Sequence, residues 1–237
     1  MLIRLDKFLA DAKVGSRSEV KEYIKKGRIQ LNEETAQRGE VKIDPEITQV
    51  FFDGTQVYKK GFVYYMMNKP KGVVSATTDN VSETVISLIE DKYRDELFPV
   101  GRLDKDTEGL LILTNDGALA HSLLSPKKHV DKTYYALVRG FVTEQDVSEF
   151  CEGLDIGEKK LTMPADLRIL KSGEISEVEV VIREGKFHQI KRMFQAVSKE
   201  VIYLKRISMG KLTLDEKLQP GEYRHLTKEE LALLREK

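Results

Sequence analysis

GRLDKDTEGLLILTNDG, Gly101 to Gly117, sets a cluster of charge directly before an apolar run. Arg102 and Asp104 stand two residues apart, Asp106 and Glu108 follow, and Leu110 to Leu113 is uninterrupted. A run this short, closed by the turn-forming Thr-Asn-Asp-Gly, predicts a buried strand with a charged loop at its entrance. Three chemical readings compete for the acids. A metal loop is disfavoured, because the spacing lacks the EF-hand loop length and its terminal Glu. A pair of carboxylates for glycosidic chemistry is the second reading. The third is a single nucleophilic or basic aspartate, the other acids being solvated or structural. On composition alone, a charged turn with Arg102 and Asp104 paired only for packing is the plainest account.

Working outward, FVYYMMN from Phe62 reads as a strand of aromatic and β-preferring residues. Lys69-Pro-Lys-Gly72 after it reads as a loop, and Val85 to Tyr93 as a helix. Beyond the opening stretch, Ala118–Leu124 predicts a short helix stopped by Ser125-Pro126, and Thr133–Val138 a strand. Val142–Leu154 predicts a helix opening at Thr143. Glu177–Ile182 and Val201–Ile207 predict strands, with a helix around Gln189–Val197 between them. Thr227 and Glu230 have capping-box spacing for a last helix. Strands and helices mixed without a steady β-α-β rhythm indicate an α+β domain with a mixed or antiparallel sheet.

The N-terminal part is a separate unit. Leu5, Phe8, Leu9 and Ala12 recur at helical spacing up to Gly15. Ser16 or Ser18 can cap a second helix that buries Val20, Tyr23 and Ile24 and stops at Gly27. Arg28–Asn32 and Ile47–Phe52 read as strands, and Lys59-Lys60-Gly61 as a linker. The domain expectation is therefore 1–58 and 59–237.

Bulk numbers narrow the class. The 237 residues are 41% hydrophobic, enough for a sizeable core, and 33% charged, above the average of about 25%. With 39 basic and 39 acidic side chains the net charge is zero, so any nucleic-acid site must come from local charge. One cysteine, Cys151, excludes an intramolecular disulfide and fits a reducing compartment. The start, MLIRLDKFLADAK, is charged throughout. The expectation is a soluble cytoplasmic protein with no membrane association. Two zones are locally cationic: Lys13 to Arg28, and Ile182 to Leu212 with Arg183, Lys186, His188, Lys191, Arg192, Lys199, Lys205, Arg206 and Lys211. Lys191 and Arg192, being adjacent, would point about 100° apart on a helix. From charge alone, the first zone reads more simply as a solvated helix with i to i+4 pairs.

Family resemblances reweight these readings. RLDKFLADAKVGSRSEVKEYIKKGRIQLN, Arg4–Asn32, resembles an S4 domain, a small RNA-binding module. That resemblance implies RNA contact by Arg17, Lys21 and Arg28. The order Gly-Arg-Leu-Asp-x-x-Thr-x-Gly-Leu-Leu-x-Leu-Thr-Asn-Asp-Gly resembles the active-site motif of RsuA-type pseudouridine synthases. YYMMNKPKGVVSATTD (64–79), DKTYYALVRG (131–140), EGKFHQIKRMFQAVSKEVIYLKRISMG (184–210) and the tail LDEKLQPGEYRHLT (214–227) resemble the other family motifs, in order. The resemblance implies an isomerase that converts uridine in RNA to pseudouridine without a cofactor or a metal.

The roles implied are specific. Asp104 would be the catalytic aspartate, attacking the sugar or the uracil, or removing the C2′ proton. Burial disfavours a charged carboxylate, so a cation must accompany it, and Lys191 matches the family's basic partner. Tyr134 matches the tyrosine that stacks on the target base, leaving Tyr135 as the core aromatic. Arg102 resembles the arginine that fills the space left by the flipped nucleotide. Lys69, Lys71, His188 and Arg192 are further candidates for RNA contact. Leu161-Thr-Met-Pro-Ala165 resembles a segment of the small-subunit rRNA subgroup. The expected partner is thus 16S ribosomal RNA in a partly assembled small subunit, met by a monomer. A large-subunit rRNA enzyme, a non-catalytic ribosome-assembly factor and a true glycosidase are the alternatives.

Overall fold

The computed structural model describes residues 2–45, 47–58, 61–125 and 128–235. Lys59 and Lys60 of the expected linker, and Pro126 of the expected helix stop, lie outside them. The chain divides into two compact units, Met1–Gly61 and Phe62–Lys237.

In the first unit, β1 (Ile3–Arg4) leads into α1 (Leu5–Asp11) and α2 (Arg17–Lys25). Then follow β2 (Ile29–Leu31), β3 (Glu34–Thr35), β4 (Lys42–Ile43), β5 (Val50–Phe52) and β6 (Thr55–Val57). Ser16 caps α2 reciprocally: its hydroxyl accepts from Glu19 N at 3.3 Å, and the Glu19 carboxylate accepts from Ser16 N at 2.8 Å. Leu5, Phe8, Leu9, Val20, Ile24, Ile29 and Val50 form the core between the helices and the β3-β2-β5-β6 sheet.

The second unit runs β7 (Tyr64–Lys69), β8 (Phe98–Pro99), β9 (Glu108–Thr114), α3 (Gly117–Leu124), β10 (Lys132–Arg139), α4 (Glu144–Glu152), β11 (Asp166–Lys171) and β12 (Ile175–Ile182). It ends with α5 (Gln189–Ala196), β13 (Glu200–Met209), β14 (Leu212–Thr213), β15 (Tyr223–His225) and α6 (Lys228–Arg235). Among the described residues, nine strands form one sheet in the order β11-β12-β10-β13-β9-β7-β15, with β14 beside β13 and β8 beside β9. Every pairing described in it is antiparallel except β9 with β13.

β9 is central and covered on both faces, which is why Leu110–Leu113 is apolar without alternation. Leu110 and Ile112 pack with Met66 and with Leu119 and Leu123 of α3. Leu111 and Leu113 pack on the opposite side with Tyr65, Met67, Phe150 of α4, and Ile190, Met193 and Phe194 of α5. All four β9 side chains are fully buried. Thr143 caps α4 and Thr227 caps α6 as the spacing predicts.

Val85 to Tyr93 is not a helix but a run of turns ahead of a short 3-10 turn at Arg94–Glu96. The segment is instead tied back to Val74, Val85 N donating to Val74 O at 3.0 Å and Val74 N to Glu83 O at 2.9 Å, and its next bonds are of the tighter turn type, Ser87 N to Thr84 O and Ile89 N to Ile86 O at 3.1 Å each. The Ser87 hydroxyl also donates to Thr84 O at 2.7 Å, a local bond that competes with helix propagation. Val85, Ile86 and Ile89 are all buried, so the apolar pattern reported core rather than helix.

Asp146 in α4 and Lys199 before β13 join helix to sheet through a buried pair of 2.6 Å. Burial alone would push the Asp146 carboxyl up, but hydrogen bonds from Lys199 and Thr143 outweigh it and hold it below the usual range. Its stabilisation is therefore complete above the unfolded value near about 4 and is lost as pH falls through the lower folded value. Lys199→Met strands the carboxylate and should cost about 3 kcal/mol at neutral pH. It should also move the onset of acid unfolding to higher pH, as circular dichroism titration can measure.

Candidate active site

The loop before β9 is pinned at every other residue. Leu103 N donates to the Ser75 hydroxyl at 3.0 Å, and that hydroxyl donates to Leu103 O at 3.0 Å. Gly72 N donates to Lys105 O at 2.7 Å, and Thr107 N to Asp104 O at 3.1 Å. Lys69, the last residue of β7, reaches beneath: its ammonium donates to Thr107 O at 2.8 Å, Pro70 O at 3.0 Å and, weakly, Lys105 O at 3.4 Å. Asp104 therefore projects from a loop whose neighbours cannot shift freely.

It projects into a cleft of about 520 Å³ that Arg102, Asp104, Thr107, Tyr134, His188 and Lys191 help to line. The Asp104 carboxylate lies 3.7 Å from the Lys191 ammonium and 3.7 Å from the His188 Nε2. Lys191 sits closer to Asp106, at 2.5 Å. Burial alone would raise the Asp106 carboxyl; the Lys191 ammonium, with His188 behind it, holds it below the ordinary carboxylate range. One lysine thus serves two carboxylates, and Asp106, exposed yet paired, fits the solvated or structural part the sequence suggested for the further acids.

The remaining predicted residues separate clearly. Tyr134 on β10 is buried with its ring at the cleft, while Tyr135 points to the opposite face and donates to Glu177 at 3.0 Å. The expectation of Tyr135 as the core aromatic is thus reversed, as strand alternation requires. Arg102 is exposed at the cleft and Lys71 is exposed in the turn after β7. Arg192 turns away from Asp104: it donates to Glu158 at 3.0 Å, to Phe187 O at 3.0 Å and to Ile156 O. It is thereby committed to the protein rather than to a phosphate.

Lys69 corrects a second expectation of RNA contact, since it has no exposed surface. Burial pushes its ammonium down to about 8, against the raising influence of Asp106, Asp104 and Glu108. Lys69→Met removes a costly buried charge together with the loop's fastening. Stability should change by less than about 2 kcal/mol because these effects oppose. Turnover at saturating RNA should fall about 10- to 100-fold as Asp104 loses its position. Thermal unfolding and kcat, measured side by side, test this. A lysine closing an apolar strand and preceding proline was the available signal for its burial.

In the first unit, Arg17 and Lys21 lie one turn apart on the exposed face of α2. Arg28 is held instead: it pairs with Asp53, its Nε 2.9 Å from the carboxylate, and lies 4.8 Å from the Tyr23 ring and 4.6 Å from that of Phe52. Most cations of the second basic zone are likewise paired within the protein, although of them only Arg206 is buried. Arg183 pairs with Asp131 and Asp166, Lys199 with Asp146, and Arg206 is buried with its Nε on Leu110 O.

Among the described residues, a nine-stranded mixed sheet with an aspartate-bearing loop before β9, a tyrosine on β10, which β13 separates from β9, and a lysine from the covering helix α5 defines the class. Residues 63–196 match the RNA pseudouridylate synthase family, and residues 3–47 the S4 domain. The chain belongs to the RNA pseudouridine synthases and is an isomerase of that family, with an RNA-binding S4 domain at its N-terminal side. An uncharacterised RNA pseudouridine synthase, YtzG, of Bacillus subtilis (strain 168) is 48% identical over 99% of both chains. The ribosomal small subunit pseudouridine synthase A of Vibrio vulnificus is 40% identical over 97% of this chain and 98% of its own. A crystal structure of a pseudouridylate synthase superposes with a TM-score of 0.70 at 36% identity, covering 98% of this chain and 99% of that one.

Proposed function

We propose that this protein converts a uridine of 16S ribosomal RNA to pseudouridine on the small subunit during its assembly in the cytoplasm. The observation that carries the chemistry is Asp104, braced in a cleft and set between Lys191 and His188 at 3.7 Å each. The cleft's volume is that of a small-molecule site and suits a single extruded nucleotide. The uridine leaves its stack, at a cost of a few kcal/mol, and Tyr134 stacks on the uracil. Arg102 takes the vacated space. Asp104 then acts on the sugar or the base while Lys191 balances its charge. The N1–C1′ bond breaks, the uracil turns over, and C5 bonds to C1′ with loss of the C5 proton and gain of one at N1. The product is an isomer, so the reaction needs no external oxidant or group donor.

The choice of small-subunit RNA is supported by the names of the full-length Vibrio and Escherichia coli relatives. It is also supported by Leu161–Ala165, which lies against the basic-motif loop through Lys186 Nζ to Leu161 O (3.0 Å) and Met163 N to Glu184 (2.8 Å). The test is to map pseudouridine at single-nucleotide resolution after incubating unmodified small- and large-subunit rRNA, bare and partly assembled, with the protein. One new site on small-subunit RNA is expected. A site on large-subunit RNA alone would overturn the substrate while keeping the enzyme.

A further inference from the structure

Phe187 is 73% exposed. Exposed apolar side chains are common singly. Among the large ones exposed in the described residues, however, Phe187 alone lines the Asp104 cleft. It is also braced. Arg192 donates to its carbonyl at 3.0 Å, Gln189 accepts from Lys186 N at 3.0 Å, and Lys186 Nζ donates to Leu161 O at 3.0 Å. The next residue, His188, is held in the left-handed region at φ 49°, and its ring stacks on Phe187 with centroids 3.8 Å apart and planes 19° apart. One face of the phenyl ring is thus fixed against an imidazole, and the rest stands in solvent. His188 continues to within 3.7 Å of Asp104, so the stack runs from the cleft rim to the carboxylate.

A rigid, flat, solvent-facing ring among Arg102, Lys186 and Lys191 is a surface suited to an unpaired nucleobase. Extruding the target uridine strips its neighbours of a stacking partner, and a fixed aromatic face can replace it. We propose that Phe187, backed by His188, is a stacking subsite for an unpaired base adjoining the target uridine. It is separate from Tyr134, which takes the uracil itself. The proposal rests on the reading of Asp104 as the reacting carboxylate, whichever RNA is the substrate.

The experiment first maps the modified uridine in total RNA from cells deleted for this gene, then uses an in vitro transcript carrying it. Initial rates are compared for the natural protein, Phe187→Ala, Phe187→Leu, Phe187→Tyr and Asp104→Asn. Loss of the ring in the Ala and Leu variants should raise KM about 10- to 100-fold, the range of an aromatic–base stack. Their kcat should stay within about twofold, because the contact exists before the chemical step and through it. The Tyr variant should restore KM. A natural-like KM in either the Ala or the Leu variant overturns the subsite, as does a fall in kcat with KM unchanged. Turnover surviving in Asp104→Asn would instead remove the site reading beneath it.

Discussion

Asp104→Asn should lower pseudouridine formation by at least about 10³-fold, within the range over which positioned acids, bases and nucleophiles act. RNA affinity should stay within about threefold of the natural protein, since an uncharged isostere leaves the cleft wall intact. The loop that carries residue 104 is held by Ser75, Gly72 and Lys69 through backbone groups, and none of these bonds uses the Asp104 carboxylate. The substitution therefore removes charge and nucleophilicity without releasing the loop. It also leaves Lys191 with Asp106, its nearer partner. Single-turnover rates at saturating RNA, with a filter-binding isotherm alongside, separate the two quantities. Equal losses in both would count against a chemical role for Asp104.

Gly109→Ala should have the largest effect on stability, more than about 4 kcal/mol, and should deprive the protein of a stable second unit. Gly109 is where β9 meets β13 in parallel, paired with Arg206. A Cβ there would lie 2.2 Å from Arg206 O and 2.8 Å from Arg206 N, both backbone atoms that cannot swing aside. Its φ of +102° is also closed to side chains with a β-carbon. Urea unfolding, or the soluble yield where no folded protein survives, reads the outcome. A variant with near-natural stability would show that the two strands can separate at this point. The glycine in the charged motif is therefore a structural requirement two residues beyond the turn, set by backbone proximity.

Much of this was legible because the periodic signals were strong. The apolar block of β9, the capping residues Ser16, Thr143 and Thr227, and the alternation of β10 and β12 each name their element from local chemistry. What stayed hidden depended on contacts distant in sequence. Val85 to Ile89 looked helical because turns buried in a core can carry the same apolar spacing as a helix. β11 is an edge strand whose alternation, Leu167 in and Arg168 out, is interrupted by a register shift between Ile169 and Lys171, and β15 has three residues, so neither offers a long enough pattern. At the site, composition showed that residues 182–212 are rich in cations but not which acids they would meet. Asp131, Asp146 and Glu158, all outside that segment, neutralise three of them. Lys191 and Arg192 are adjacent in sequence, yet helix geometry sends one to Asp104 and the other to Glu158.

That internal pairing bears on how the enzyme tolerates ionic strength. A cation already held by a protein carboxylate or carbonyl displaces few of the counterions condensed on RNA. Arg28, Arg183, Arg192, Lys199 and Arg206 are all held in this way. The zero net charge of the chain adds no long-range pull. Phosphate contact should then fall to exposed cations such as Arg17 and Lys21 of α2, Lys71 and Arg102. The slope of RNA affinity against salt should therefore count those few charges rather than the 39 basic side chains of the sequence.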